Sequence, residues 1–409
     1  MAQYIMLRDD NAAMLSHRRG GTFRGPTAGI FGTEETLFPP PAPTIETRDL
    51  SPNDLRDASR DPSILSLARS MPTRLIEPEP LDDARDEDAV PAWGITSVGA
   101  DTSPFDGSGV RVAVLDTGID ADHAAFAGVT LTRADFSGSG HQDANGHGTH
   151  CAGTIFGRDV EGTRIGVATG VTDAVIGKVL ADDGRGSSEM LFNAMRWVSG
   201  QENPARVISM SLGFDFPGFA ERLVTENDYP VLLATSVALE GYRMNLRMFD
   251  ALMSMIRRQA DFNGGTLVVA AAGNESRRQI SPDFEVSASV PAAAEGVVSV
   301  GALGQGDGGL TVAPFSNTNP VVSAPGVGII SARSGGGLRS LNGTSMATPH
   351  VAGVTALWWQ ALAQSGVPLT ARAVEARLLA TAITSGFAPG TDLMDRGQGL
   401  VQAPSAAMS

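Results

Sequence analysis

The chain of 409 residues is short of cysteine, of positive charge and of unbroken apolar stretches, and each shortage removes a class of function. A single Cys excludes an intramolecular disulfide and a cysteine-built zinc site. With 30 basic against 45 acidic side chains the formal charge is −15, which argues against tracking nucleic-acid phosphates or binding anionic lipid, since both need clustered positive charge. No segment supplies the roughly 20 consecutive apolar residues of a membrane span. The start, Met1 to Asp10, has neither the basic flank nor the apolar stretch of a secretory signal, so the expected location is cytoplasmic, with no nucleic-acid or membrane partner. What is plentiful is glycine, 48 residues, and a 42% hydrophobic content, enough for a sizeable core in one large domain with an appendage or in two to three smaller ones.

The first 90 or so residues read differently from the remainder. Gly20 to Thr47 carries Gly-Gly, Gly-Pro and Pro-Pro-Pro-Ala-Pro signals, and regular structure is not expected there. Tyr4 to Leu7 reads as a strand, and Asn53 to Met71 holds a short helix-like piece around Ile64 and Leu67. Glu77 to Asp88 crowds acidic residues around Arg85 with Pro78 and Pro80 among them, the composition of a solvated, self-repelling linker. A boundary near residue 90 follows, giving an N-terminal extension over 1–90, a main domain over 91–403 and a tail over 404–409. Within the main domain short apolar runs at Val110–Leu115, Val207–Met210, Leu267–Ala272 and Val297–Val300 alternate with helical spacing, as at Leu191, Ala194, Met195 and Val198. Such alternation predicts an α/β fold, a doubly wound and mostly parallel sheet with helices on both faces. Its active groups collect at the carboxyl ends of strands.

Three segments set a reactive side chain among small residues: Val112-Ala-Val-Leu-Asp116, Asn145-Gly-His147-Gly-Thr-His150-Cys-Ala-Gly153 and Asn342-Gly-Thr-Ser345-Met-Ala-Thr-Pro349-His350. Each alone has an ordinary reading: a strand-end acid, a packed histidine pair, a helix N-cap serine. Together they meet an explicit chemical demand. A serine hydroxyl is a poor nucleophile, so an imidazole must take its proton, and a buried carboxylate must hold that imidazole in one tautomer and stabilise it when charged. The three motifs, in the order Asp, His, Ser, resemble the signatures of the subtilisin-like serine proteases, and the likeness covers about residues 90–403. The resemblance implies Asp116 as orienting acid, His147 as general base and acid, and Ser345 as nucleophile of a serine endopeptidase that acts on protein or peptide substrates through an acyl-enzyme. Ala270-Ala-Ala-Gly-Asn274 resembles the family's oxyanion segment and places the side-chain donor on Asn274. Ser209-Met-Ser-Leu-Gly213 resembles its substrate-pairing strand, so Ser211, Leu212, Gly213, Ala271 and Gly273 are implied to line the substrate site. Small walls there suit an apolar side chain. A non-catalytic peptide-binding relative is the competing class, and the intact Asp116, His147, Asn274 and Ser345 set argues against it.

Other features are weaker or departures. Gly304-Gln-Gly306-Asp-Gly-Gly309 satisfies a dinucleotide pattern, yet Leu310 to Pro314 is no helix to receive a pyrophosphate. His141, Asp143, His147 and His150 are ligand types in close order, but the triad explains His147 and no metal site is assigned. Cys151 is expected to lie buried beneath the active groups. No cofactor is required; calcium is possible, but the position where the family's strong site has an acid falls on Ala125, and the loop from Arg158 to Arg164 lacks the usual ligand run. Between Gly213 and Leu267 the chain carries extra residues, an inserted helical segment over about 216–263. Leu239, Tyr242, Leu246, Phe249, Met253 and Ile256 there mark a long amphipathic helix, either a scaffold element or a dock for a protein partner or substrate. The N-terminal region reads either as an inhibitory leader, with Leu75-Ile-Glu-Pro78 in the cleft and self-cleavage between residues 70 and 92, or as a disordered extension.

Overall fold

The computed structural model describes residues 2–9, 44–80 and 92–406. The extension contributes β1 (Ala2–Arg8), β2 (Thr44–Leu50), α1 (Pro52–Ala58), β3 (Ile64–Arg69) and β4 (Pro72–Leu75). β1 is the middle of an antiparallel sheet ordered β2-β1-β3, with Ile5 opposite both Thr47 and Ala68. The expected strand at Tyr4–Leu7 is there. The helix expected around Ile64 and Leu67 is not: those residues form β3. The helix starts earlier because Ser51 and Asp54 make a reciprocal capping box and Pro52 sits in the first turn. Thr44 to Thr47 belong to β2 rather than to an irregular stretch, and residues 20–43 lie outside the described residues. Likewise Glu77 to Pro80 are not linker but lie across the main domain, while residues 81–88 fall outside the described set.

The main domain runs α2 (Trp93–Ser97), β5 (Val112–Asp116), β6 (Thr130–Asp135), α3 (His147–Phe156), β7 (Asp173–Lys178), β8 (Arg185–Ser187), α4 (Ser188–Ser199), β9 (Val207–Met210) and β10 (Leu212–Phe214). The inserted segment follows as α5 (Phe216–Thr225), α6 (Val231–Arg258) and α7 (Ala260–Asn263). Then come β11 (Leu267–Ala271), β12 (Val297–Gly306), β13 (Gly309–Val312), β14 (Val322–Pro325), β15 (Ile329–Ala332), β16 (Leu338–Leu341), α8 (Thr344–Gln364), α9 (Ala371–Ala380) and α10 (Leu393–Arg396). The central sheet has eight strands in the order β13-β12-β11-β9-β5-β7-β6, with β14 also on β12. Its pairings are parallel except for the β12–β13 hairpin, in which Gly306 faces Gly309, so the glycine-rich run is a strand turn.

Every residue of β5 is buried because both faces of the sheet are covered. Alternation sends Val112 and Val114 into a core with Ile155 of α3 and Val351 and Trp358 of α8. Ala113 and Leu115 enter a second core with Leu191 of α4 and Phe249 and Leu252 of α6. The extension joins that second core through Ile5, Leu7, Ala68, Met71 and Leu75. Contact with the extension also explains where α6 departs from its expected face. Phe249, Met253 and Ile256 are buried as predicted, but Leu239 is exposed, and the amino-terminal half buries Ala234, Ala238, Gly241 and Asn245 instead. A Cβ on Gly241 would come within 2.9 Å of Met71 Sδ, and Asn245 Nδ2 donates to Arg69 O at 2.8 Å, so only small side chains fit at that approach. Among the described residues no helix is long and apolar enough to cross a membrane.

Candidate active site

Asp116 ends β5, His147 opens α3, Asn274 follows β11 and Ser345 lies in the first turn of α8, so the fold brings the four predicted groups to one end of the sheet. His147 Nδ1 lies 2.7 Å from Asp116 Oδ1, which also accepts from Thr117 N at 2.7 Å. Both side chains are buried. Burial is the largest single influence and opposes a charged ring, but the Asp116 carboxylate and the adjacent Cys151, through charge and hydrogen bonds, together outweigh it and hold His147 well above the ordinary histidine range. Cys151 is buried one helical turn on, with Sγ 3.8 Å from His147 Nδ1 and 3.4 Å from Ser345 O. Burial pushes its thiol up, so it stands there as a neutral group. Asp116, His147 and Cys151 are the one group of three or more ligand-type side chains gathered within 4.8 Å among the described residues, and its imidazole nitrogen is already spent on the carboxylate.

Asn274 is oriented by Thr344, whose N–H and Oγ1 both donate to Asn274 Oδ1, at 2.9 and 2.8 Å. That leaves the Nδ2 donors facing the cleft. Ser211, expected at the substrate site, is buried and donates to Ser345 O at 3.2 Å. Leu212 and Gly213 are in β10 on the cleft wall, Ala271 is the buried end of β11, and Gly273 donates to Thr344 Oγ1 at 3.2 Å.

The cleft holds a stretch of the same chain. β4 inserts between β10 and β8 as an antiparallel strand, with Thr73 opposite Phe214 and Gly186, Arg74 opposite Gly213, and Leu75 opposite Leu212. Thr73, Leu75 and Ile76 are buried and Arg74 is exposed, and Ile76 lies along Gly213, where an added Cβ would touch it at 3.6 Å. Ile76 O accepts from Ser345 Oγ at 3.0 Å, and Glu77 O accepts from Asn274 Nδ2 at 2.9 Å. Beyond them Glu79 N donates to Asn342 O at 2.9 Å and Asn342 Nδ2 to Pro80 O at 3.1 Å. The Ser345 hydroxyl therefore points at the cleft segment around Ile76, and His147 Nε2 has no partner among the described residues.

Two contributors were not singled out from the sequence. Asp143, noted there only as a possible ligand type, is buried and accepts from Thr117 Oγ1, Gly146 N, Thr149 N and Thr149 Oγ1, while Thr117 Oγ1 accepts from Gly148 N. This network ties the end of β5 to the start of α3 and so sets the distance between Asp116 and His147. Its signal was an acid four residues before a histidine in a glycine-rich turn. The second is Thr344, which precedes the candidate nucleophile and fixes the Asn274 amide.

A sheet of this order with Asp, His, Asn and Ser at its carboxyl edge defines an α/β serine hydrolase of the subtilisin type. Residues 107–401 match the profile of the subtilase family, and the chain belongs to that family, the subtilisin-like serine endopeptidases. Subtilisin-like protease 7 of Trichophyton equinum is 31% identical over 329 residues, covering 77% of this chain and 69% of that protein. Subtilisin-like protease 6 of Trichophyton rubrum is 33% identical over 285 residues, covering 66% of this chain and 58% of that protein. Subtilisin-like protease 7 of Arthroderma otae is 30% identical over 328 residues, with shares of 77% and 69%.

The place of the family's strong calcium site does not fit that ion. Ala125 contributes a buried methyl in place of a carboxylate, and its carbonyl accepts from Arg158 N at 2.7 Å. The Arg158 guanidinium donates to Phe156 O and Val171 O, and Arg164 to Ala100 O, Gly166 O and Val167 O. Main-chain oxygens of this region are thus taken by two guanidinium groups, where calcium needs six to eight free oxygens.

Proposed function

We propose that the chain hydrolyses peptide bonds through an acyl-enzyme on Ser345. In its neutral form, reached as pH rises through its raised pKa, His147 holds its Nδ1 proton on Asp116 and takes the Ser345 hydroxyl proton at Nε2 as Oγ attacks the carbonyl carbon. Asn274 Nδ2, which in the resting chain holds the next carbonyl, Glu77 O, turns to Ile76 O and with the Ser345 backbone N–H, an amide the first turn of α8 leaves without an intrahelical partner, receives the developing oxyanion. His147 then gives its proton to the leaving amine, and a water activated by the same imidazole releases the acyl group. All of these groups belong to the chain itself. Substrate binds as a strand between β10 and β8, through main-chain bonds, with an apolar side chain against Gly213 before the cleaved bond. Residues 1–90 act as an inhibitory leader to a catalytic domain over 91–403, and the first bond cleaved is Ile76–Glu77.

One observation carries this reading. An extended segment lies where a substrate would, with the carbonyl of Ile76 on the Ser345 hydroxyl and the next carbonyl on Asn274. The test is hydrolysis of a casein-derived peptide pool by the wild-type protein and by Ser345→Ala, with a fluorophosphonate adduct mapped by mass spectrometry. Hydrolysis and an adduct on Ser345, both absent from the variant, are expected; undiminished hydrolysis by Ser345→Ala sinks the proposal.

A further inference from the structure

Three charged side chains flank the segment in the cleft, and none of them takes part in the chemistry proposed above. Before Ile76, Arg74 lies 3.6 Å from Asp215 and 3.5 Å from Glu275. After it, Glu79 lies 3.3 Å from Arg277. All three receptors are held by bonds of their own. Asp215 Oδ1 accepts from Gly218 N at 3.1 Å as the cap of α5, and Glu275 Oε2 accepts from Asn317 Nδ2 at 2.7 Å. Arg277 Nη1 donates to Asn274 O at 2.5 Å and to Ser276 O at 2.8 Å. Charges fixed before a partner arrives lose little side-chain freedom when they pair. Strand alternation also turns the right side chain toward them: Thr73 and Leu75 are buried, so Arg74 between them faces the rim. The signs are segregated, carboxylates on the side before the bond and a guanidinium on the side after it.

We infer that Asp215, Glu275 and Arg277 select substrates by charge, favouring peptides with a basic side chain two residues before the residue whose carbonyl is attacked and an acidic one three residues after it. The inference rests on the peptidase reading, with Ile76–Glu77 as the template for the cleaved bond. It also gives the inserted segment a share in selection, because Asp215 caps the first inserted helix. Rim pairs of this kind contribute modestly one by one, but discrimination compares attraction for one peptide with repulsion of another, and the two effects add.

The test uses the full-length protein, held until its N-terminus no longer changes by mass spectrometry. Peptides Thr-X-Leu-Ile-Ala-Ala-Z are then compared, with X as Arg or Glu and Z as Glu or Lys. The expected kcat/KM is roughly tenfold higher for the Arg and Glu combination than for the Glu and Lys one, with the ratio shrinking as salt rises. Arg277→Glu should invert the preference at Z and keep that at X, and Glu275→Lys should weaken the preference at X alone. Ratios are taken within each protein, so a lower active fraction cancels. Wild-type rates within twofold for all four peptides, or an unchanged Z preference in Arg277→Glu, overturn charge selection while leaving the peptidase reading intact. No hydrolysis of any peptide, or equal hydrolysis by Ser345→Ala, overturns the peptidase reading and charge selection with it.

Discussion

His150 and His350 should make the folded chain acid-sensitive by an amount that can be worked out from their burial. His150 Nε2 lies 2.9 Å from Ile329 O and His350 Nδ1 lies 2.8 Å from Met346 O, and both rings are buried. Burial lowers His150 to about 3, with the charge of His147 adding to the effect, and lowers His350 to about 4. In the unfolded chain each titrates near 6.5. Below that pH the unfolded state binds a proton that the folded state refuses, so stability falls as the solution is acidified. At pH 5 both rings are still neutral in the fold, and each costs roughly 1.4 kcal/mol per pH unit below 6.5, about 2 kcal/mol apiece. His147 runs the other way: its folded value is raised, so its contribution is complete below 6.5, is lost only as pH climbs through the raised value, and leaves the slope between 5 and 6 untouched. The perturbation is His350→Gln in a Ser345→Ala background, which prevents self-digestion. Urea unfolding at pH 7 and pH 5 should show the variant losing about 2 kcal/mol less than its parent over that interval. Equal losses in the two proteins would refute the assignment of His350 as a buried neutral ring.

Four further outcomes follow from the structure. A Cβ at Gly148 would sit 2.2 Å from Gly118 O and 3.2 Å from Asp116 Cβ, so Gly148→Ala should pull His147 from Asp116 and cut kcat on the order of 100-fold, read from peptide hydrolysis. Phe249→Ala removes a fully buried ring packed 5.2 Å from Phe192 and 6.5 Å from Phe214, and should cost about 3–5 kcal/mol in urea unfolding of the Ser345→Ala protein. Arg158→Ala strips charged donors from two carbonyls and should lower stability by about 2–3 kcal/mol. Excess chelator should leave the Tm of the Ser345→Ala protein within about a degree, and a larger fall would show that the folded chain binds a divalent cation.

The candidate site was legible in the sequence because the chemistry proposed for it demands particular side chains at particular spacings: Asp116, His147, Asn274 and Ser345 each sit in a short motif, and the fold places them at one end of the sheet. The strands of the main sheet were legible for the same kind of reason, since Val112–Leu115 is apolar at every position and Val207–Met210 at every position but Ser209, in a sheet covered on both faces. Long-range contact hid the rest. Ile64 to Arg69 has too little period to separate helix from strand, and pairing with β1 decides it. The amino-terminal half of α6 buries alanines and a glycine because the chain near Met71 comes close, and a hydrophobic pattern cannot reveal a face built from small residues. Glu77 to Pro80 has the composition of a linker but is held by Asn274 and Asn342, bonds made by its backbone and so invisible in side-chain type.

The most direct measurement is the intact mass and N-terminal sequence of the purified wild-type and Ser345→Ala proteins. If Ser345 is the nucleophile and the segment through the cleft is its first substrate, the wild-type chain begins at Glu77 while the variant keeps its original start. Identical N-termini in the two proteins would contradict that account.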